Sequence, residues 1–192
     1  MKEKLVLLIL MAIFLSACST VSVKVPEKEP GIVSILPRMV EGYSYVGVHV
    51  YPSEEYGYSV RYTLSSKNYA DIYIYPVPEQ AKKYSHKDIV FGMTGNAISE
   101  IELAQEKGLY HEFEILNKSA FNNSGLVFSK VEAKLVKDNL VSYTILYLTE
   151  NRSKLIKARI TMPDNESNRS NKKWDAFIGE IFGFIINNID KA

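Results

Sequence analysis

The chain has 192 residues and one cysteine, Cys18. A single thiol excludes an internal disulfide and a cysteine metal cluster. Histidine is scarce too. His49, His86 and His111 are the only three, and none stands at a metal-ligand spacing from another histidine, a cysteine or an acid. Charge of either sign is not in excess. The net charge is +1, which removes the usual electrostatic reason to expect nucleic acid or an acidic substrate. No apolar run reaches the roughly 20 residues that span a bilayer; the longest, Leu5 to Leu15, has eleven. G-x-S-x-G, H-E-x-x-H, phosphate-loop and dinucleotide fingerprints are missing. Two glycines in "GMTGNA", residues 92–97, are too little to mark an anion site.

What is present at the start is a leader pattern. Lys2 and Lys4 precede the apolar run, and small residues, Ser16 and Ala17, follow it before Cys18. A charged start, a short apolar core and small residues make a secretory signal, here residues 1–17. Leu15-Ser16-Ala17-Cys18 resembles the lipobox of bacterial lipoproteins. The resemblance implies cleavage before Cys18, a diacylglycerol on its thiol and acylation of the new amino group, so Cys18 is the expected lipidation site and the membrane is an expected partner. It also implies, with Ser19 rather than Asp after the cysteine, the outer membrane facing the periplasm if the source is Gram-negative. Loss of Lys2, Glu3 and Lys4 with the leader leaves the remaining acidic and basic residues balanced.

Residues 18–42 read as the lipidated cysteine and a tether. Pro26, Pro30, Gly31 and Pro37 interrupt any period, and Lys24, Glu27, Lys28 and Glu29 mix both signs. Such a segment favours extended conformations. The alternative is that Ile32–Leu36 dock on the domain or add an edge strand.

Residues 43–192 form the expected single domain. "GYSVRYTL", 57–64, and "YADIYIYPVP", 69–78, alternate in period two around the turn residues 65–68 and read as a hairpin. An earlier strand is expected over Tyr45–Tyr51. A helix follows within Asp88–Lys107, with Ala97, Ile98, Ile101, Ala104 and Gln105 on one face and Gly108 as its cap. Gly92 and Gly95 leave its start open, as late as Asn96. Strands are expected at 126–136, 140–149 and 154–162, with a shorter one at 112–118. The middle one is apolar on both faces, as a central strand should be. A polar, flexible stretch at 163–173 leads to a last helix. There Trp174, Phe177, Ile178, Ile181, Phe182, Ile185, Ile186 and Ile189 recur at three and four. This stripe suits burial on a sheet better than a membrane surface, because its polar side lacks Lys and Arg.

The expected fold is α+β: an antiparallel sheet of about six strands packed by two helices, an α/β/α-like sandwich. The element order, with "GYSVRYTL…ADIYIYP" early, "LTENRSKLIKARITMP" late and a closing helix, resembles the PsbP-like class of photosystem II extrinsic proteins. The phrase Glu100, Ile101, Ala104, Gly108 and Tyr110 after a Tyr-rich hairpin also resembles bacterial lipoproteins of uncharacterised function. Those resemblances imply a non-catalytic accessory role.

Tyrosine is the residue in excess. There are 13, of which nine lie between Tyr43 and Tyr75. Tyr69, Tyr73 and Tyr75 share one face of their strand and are the candidate partner-binding residues; packing under the helices is the alternative. The expectation is a lipid-anchored periplasmic binding module with an envelope protein as possible partner. No catalytic residue, metal or cofactor is expected, and no nucleic acid. An envelope assembly factor is a second reading, and a hydrolase or transferase with an unrecognised site a third.

Overall fold

The computed structural model describes residues 31–170 and 173–191. The leader, Cys18 and residues 19–30 of the tether lie outside them. The strands are β1 (Met39–Val40), β2 (Tyr43–Val50), β3 (Tyr58–Ser65), β4 (Asn68–Pro76), β5 (Glu112–Asn123), β6 (Leu126–Lys137), β7 (Leu140–Asn151) and β8 (Lys154–Pro163). The helices are α1 (His86–Glu106), α2 (Glu166–Ser170) and α3 (Lys173–Asn188). Among the described residues the strands make one antiparallel sheet in the order β1-β2-β3-β4-β8-β7-β6-β5. Two meanders, one on each side of α1, are thus joined where β4 pairs with β8.

The α+β class stands, but the sheet has eight strands rather than about six. β1 is two residues long and hidden among prolines and glycine. β5 runs the full 12 residues to Asn123, beyond the expected 118. It is an edge strand, largely exposed on both faces past Ile115, so no alternation marks it. The stretch after β8 also contains the short α2 instead of being wholly irregular.

Tight turns fix the registers. Glu41-Gly42, Ser124-Gly125, Asp138-Asn139 and Arg152-Ser153 all have positive φ at both positions, which matches the twist of two-residue hairpins. α1 begins well before Asn96. Ser85 caps it by accepting from the Asp88 N–H at 3.2 Å, and added Cβ atoms at Gly92 and Gly95 would meet nothing within 4 Å. At its other end Leu109 N–H donates to Ala104 O and Gly108 N–H to Gln105 O, with Gly108 at φ +75°. That is a Schellman cap.

A helix packs on each face. On one, α3 lays Phe177, Ile181, Phe182 and Ile185 on the inward residues of β3, β4, β8 and β7. Phe177 sits between the rings of Tyr43 and Tyr62, with centroids 4.6 and 5.4 Å away. Ile32, Val33 and Leu36 dock in this same core, and Tyr62 OH donates to Pro37 O at 2.8 Å. The docking alternative therefore describes residues 32–36. On the opposite face α1 buries Ile89, Val90, Ala97 and Ile98 against Leu155 and Leu148 of β8 and β7 and against Val131 and Leu146 of β6 and β7.

Candidate functional site

The tyrosines divide between the two faces. Tyr43, Tyr58, Tyr62, Tyr143 and Tyr147 belong to the α3 core. Tyr69, Tyr73 and Tyr75 point to the α1 side, all from odd positions of β4. Tyr73 is buried and the other two are half-buried.

Their neighbours across the sheet are not apolar. Register aligns Arg61 of β3 with Asp71 of β4 and Arg159 of β8. The next row on the same face is His49, Ser59, Tyr73 and Lys157. Thr63, Tyr69 and Thr161 make a third. Under α1 the equivalent positions of β7 are Leu146 and Leu148. Charge thus replaces hydrocarbon where the face passes from β7 to β8.

Asp71 is 4% exposed and Lys157 6%. Arg61 grips Asp71 with two bonds, Nε to Oδ1 at 2.6 Å and Nη2 to Oδ2 at 2.9 Å. This bidentate geometry is the strong form of the pair, while 45% of the Arg61 side chain remains exposed. Arg159 is held less well. Its Nη2 lies 3.7 Å from Asp71 Oδ2, beyond hydrogen-bond reach. Its Nε is buried with no hydrogen-bond partner. The Arg61 guanidinium lies 4.9 Å from the Tyr69 ring centroid, and the Lys157 ammonium 4.7 Å from that of Tyr73 and 5.8 Å from that of Tyr75. These tyrosines therefore clamp cations through their ring faces.

Burial sets the protonation chemistry. Desolvation lowers the Lys157 pKa to about 8, with nearby Arg159 acting in the same direction and Glu100 of α1 opposing. Desolvation likewise raises the Glu100 carboxyl, with Lys157 opposing. The Tyr51, Tyr73 and Tyr75 phenols are pushed up by burial. Tyr51 stands over this region with its hydroxyl 3.5 Å from Ser59 Oγ and its ring edge-on to His49 at 4.7 Å. The chain turns back there at Gly57, where φ is +58° and a Cβ would fall 2.0 Å from Ile74 O. Only glycine fits.

The remaining histidines lie apart. His86 Nδ1 pairs with Glu150 Oε2, and Glu150 also accepts from Ser153 N–H at 2.7 Å. His111 is exposed. Among the described residues no group of three His, Cys, Asp or Glu could hold a metal ion, and no helix is long and apolar enough to cross a membrane. Cys18 lies outside the described residues. Sequence reasoning placed Tyr69, Tyr73 and Tyr75 on one face but missed Arg61, Asp71, Lys157 and Arg159. Their signal was the charge at positions of β3, β4 and β8 that share that face.

No protein-family model matches the chain. Nor does any curated protein sequence. Among solved structures, the cyanobacterial PsbP protein CyanoP of Synechocystis is 16% identical, over 80% of this chain and 93% of that one, at a TM-score of 0.48. LpqN of Mycobacterium tuberculosis, involved in cell envelope biogenesis, is 12% identical over 74% of this chain and 78% of that one, at a TM-score of 0.46. Mog1p, a Ran-binding protein of Saccharomyces cerevisiae, is 8% identical over 69% and 75%, at 0.37. CyanoP belongs to the class whose element order the sequence resembles. At TM-scores below 0.5 none of these likenesses carries a function to this chain.

Proposed function

We propose that the protein is a non-catalytic envelope module, anchored by lipid on Cys18, that binds its partner with the β3-β4-β8 face of the sheet. The observation that carries the binding reading is the Arg61-Asp71-Arg159 row beside Tyr69, Tyr73 and Tyr75. Charged groups on a sheet face cost desolvation energy that apolar residues would not. Leu146 and Leu148 of β7 and Val131 of β6 fill the matching rows under α1 with hydrocarbon, so those rows do not require charge for the fold. Asp71 already accepts two bonds from Arg61, which fixes the guanidinium at the rim of this face. The lipobox supports the anchor, and Ser19 supports the outer membrane, periplasmic side, in a Gram-negative cell.

A photo-crosslinking amino acid in place of Tyr69, half-buried at the edge of the cluster, tests the surface in living cells. A discrete adduct is expected there, and none from the same probe at Gly179 on the outer side of α3. Equal adducts from both sites, or none from Tyr69, would remove the binding reading.

A further inference from the structure

The two edges of the sheet are not guarded alike. β5 closes one side and carries Glu112, Glu114 and Lys118 along it. On the other side β1 pairs with β2 only at Tyr43 and Ser44, and Arg38 O accepts one more bond from Tyr45 N–H at 2.9 Å. From Val46 to Val50, no strand among the described residues lies beside β2 on that side. The open stretch reads Val-Gly-Val-His-Val, with no lysine, acid or proline. Natural edges use such residues to block added strands. Both edges carry a bulge, near Val46 and near Leu116, so charge is the difference. Val46 is 52% exposed and Val50 39%. Tyr51 N–H donates to Gly57 O at 3.1 Å. The alternation of an antiparallel ladder then turns the N–H and C=O of Val48 and Val50 away from β3, toward the open side. The side chains of Val48 and Val50 share a face with Val60 and Tyr58 of the α3 core.

We infer that this edge is the docking site of residues 20–25 of the same chain, which lie outside the described residues and add to β2 as an antiparallel strand. Thr20-Val21-Ser22-Val23-Lys24-Val25 alternates in period two and is mostly β-branched, the pattern of a strand with one covered face. Pro26 then stops the ladder. Val21 opposite Val50 and Val23 opposite Val48 sets valine against valine beside the α3 core. Ser22 then stands beside His49, on the polar side. The chain is long enough. Ile32, Val33 and Leu36 dock in the core that holds Val48, and Tyr62 OH holds Pro37 O at 2.8 Å, so the described chain starts close to β2. Residues 26–30 span up to about 20 Å, and the open stretch of β2 is about 17 Å long. β5 stands at the far end of the strand order, on the order of 34 Å away. With the edge filled, Cys18 stands two residues from the sheet, about 7 Å, and its acyl chains hold the β2 edge at the membrane. That consequence rests on the proposed anchor; the strand itself does not.

The test uses the detergent-solubilised full chain. Val21→Cys with Val50→Cys sets two thiols at a ladder pair, about 5.5 Å apart at Cα and within disulfide range. Mild oxidation is expected to link them within one chain, read by non-reducing electrophoresis and peptide mass spectrometry. Val21→Cys with Leu116→Cys, on the β5 edge, should stay unlinked. Amide exchange followed by nuclear magnetic resonance reads the register. In this pairing Val23 N–H donates to Val48 O, whereas Ser22 N–H points outward. Val23→Pro should therefore speed exchange at Val48 and Val50 at least about tenfold relative to the amides of β4, and Ser22→Pro should leave them slow. A link between two copies assigns the edge to the segment of a second copy, and no link assigns it to a separate partner or to solvent; either overturns the inference. Equal linking at Leu116→Cys, or unchanged exchange in Val23→Pro, overturns it too. The link within one chain should persist in Cys18→Ser, so a failed lipid anchor and a failed strand are told apart, and the Tyr69 crosslink is read independently of both.

Discussion

Lys157 is where the molecule carries its clearest local cost. Its ammonium is desolvated among Tyr73, Tyr75 and Arg159, and its pKa falls from 10.5 to about 8. Between those values the unfolded chain binds more protons than the folded one, so stability rises with pH across that window. Below pH 8 the cost is fully present, on the order of 3 kcal/mol. Lys157→Met keeps the stem against the tyrosine rings and removes the charge. The variant should resist urea better at pH 7 by up to about 3 kcal/mol, and its advantage should shrink as pH rises from 8 to 10. The difference between the two proteins cancels the tyrosines, which titrate alike in both. Equal midpoints at pH 7 would mean that Lys157 is not desolvated. The faces of these residues were legible: period two put Tyr69, Asp71, Tyr73 and Tyr75 together, and Lys157 with Arg159. Their meeting was not. β4 and β8 are separated by α1 and three strands, and no local pattern says which meander edge joins which.

Elements declared themselves in proportion to how one-sided their burial is. α3 shows a three-four stripe because one side lies on the sheet, and β6, β7 and β8 show their turns in Lys137-Asp138-Asn139 and Asn151-Arg152-Ser153. The start of α1 stayed open between Asp88 and Asn96 because Gly92 and Gly95 sit outside its packed stripe, where the missing side chain costs propensity and nothing else. β5 hid its second half because an exposed edge has no inside. The same logic sorts substitutions in α3. Phe177 is fully buried between Tyr43 and Tyr62, and Phe177→Ala should destabilise the fold by about 3–5 kcal/mol. Gly179, two residues on, faces out, and a Cβ there meets nothing within 4 Å. Gly179→Ala should stabilise by about 0.5–1 kcal/mol. Thermal unfolding followed by circular dichroism reads both. Opposite signs are the signature of a helix docked by one stripe, and a destabilising Gly179→Ala would mean that its outer side is covered.

At the scale of the whole molecule, the body is nearly neutral and the proposed anchor is hydrocarbon. Ionic attachment to a membrane weakens as salt shortens the Debye length, whereas each buried CH₂ contributes about 0.8 kcal/mol whatever the salt. One acyl chain binds only marginally, so the two or three expected on Cys18 matter together. The natural chain should therefore stay with membranes through a wash in about 1 M salt and leave only in detergent. Cys18→Ser, which keeps every residue of the folded body, should remove the acyl chains and with them the detergent requirement, the uncleaved leader being the one apolar segment left to hold it. Removing residues 1–17 in the same variant should then release the body into the soluble fraction. Full retention of that truncated chain through the salt wash would assign attachment to the domain, and the β3-β4-β8 face would become the first surface to mutate.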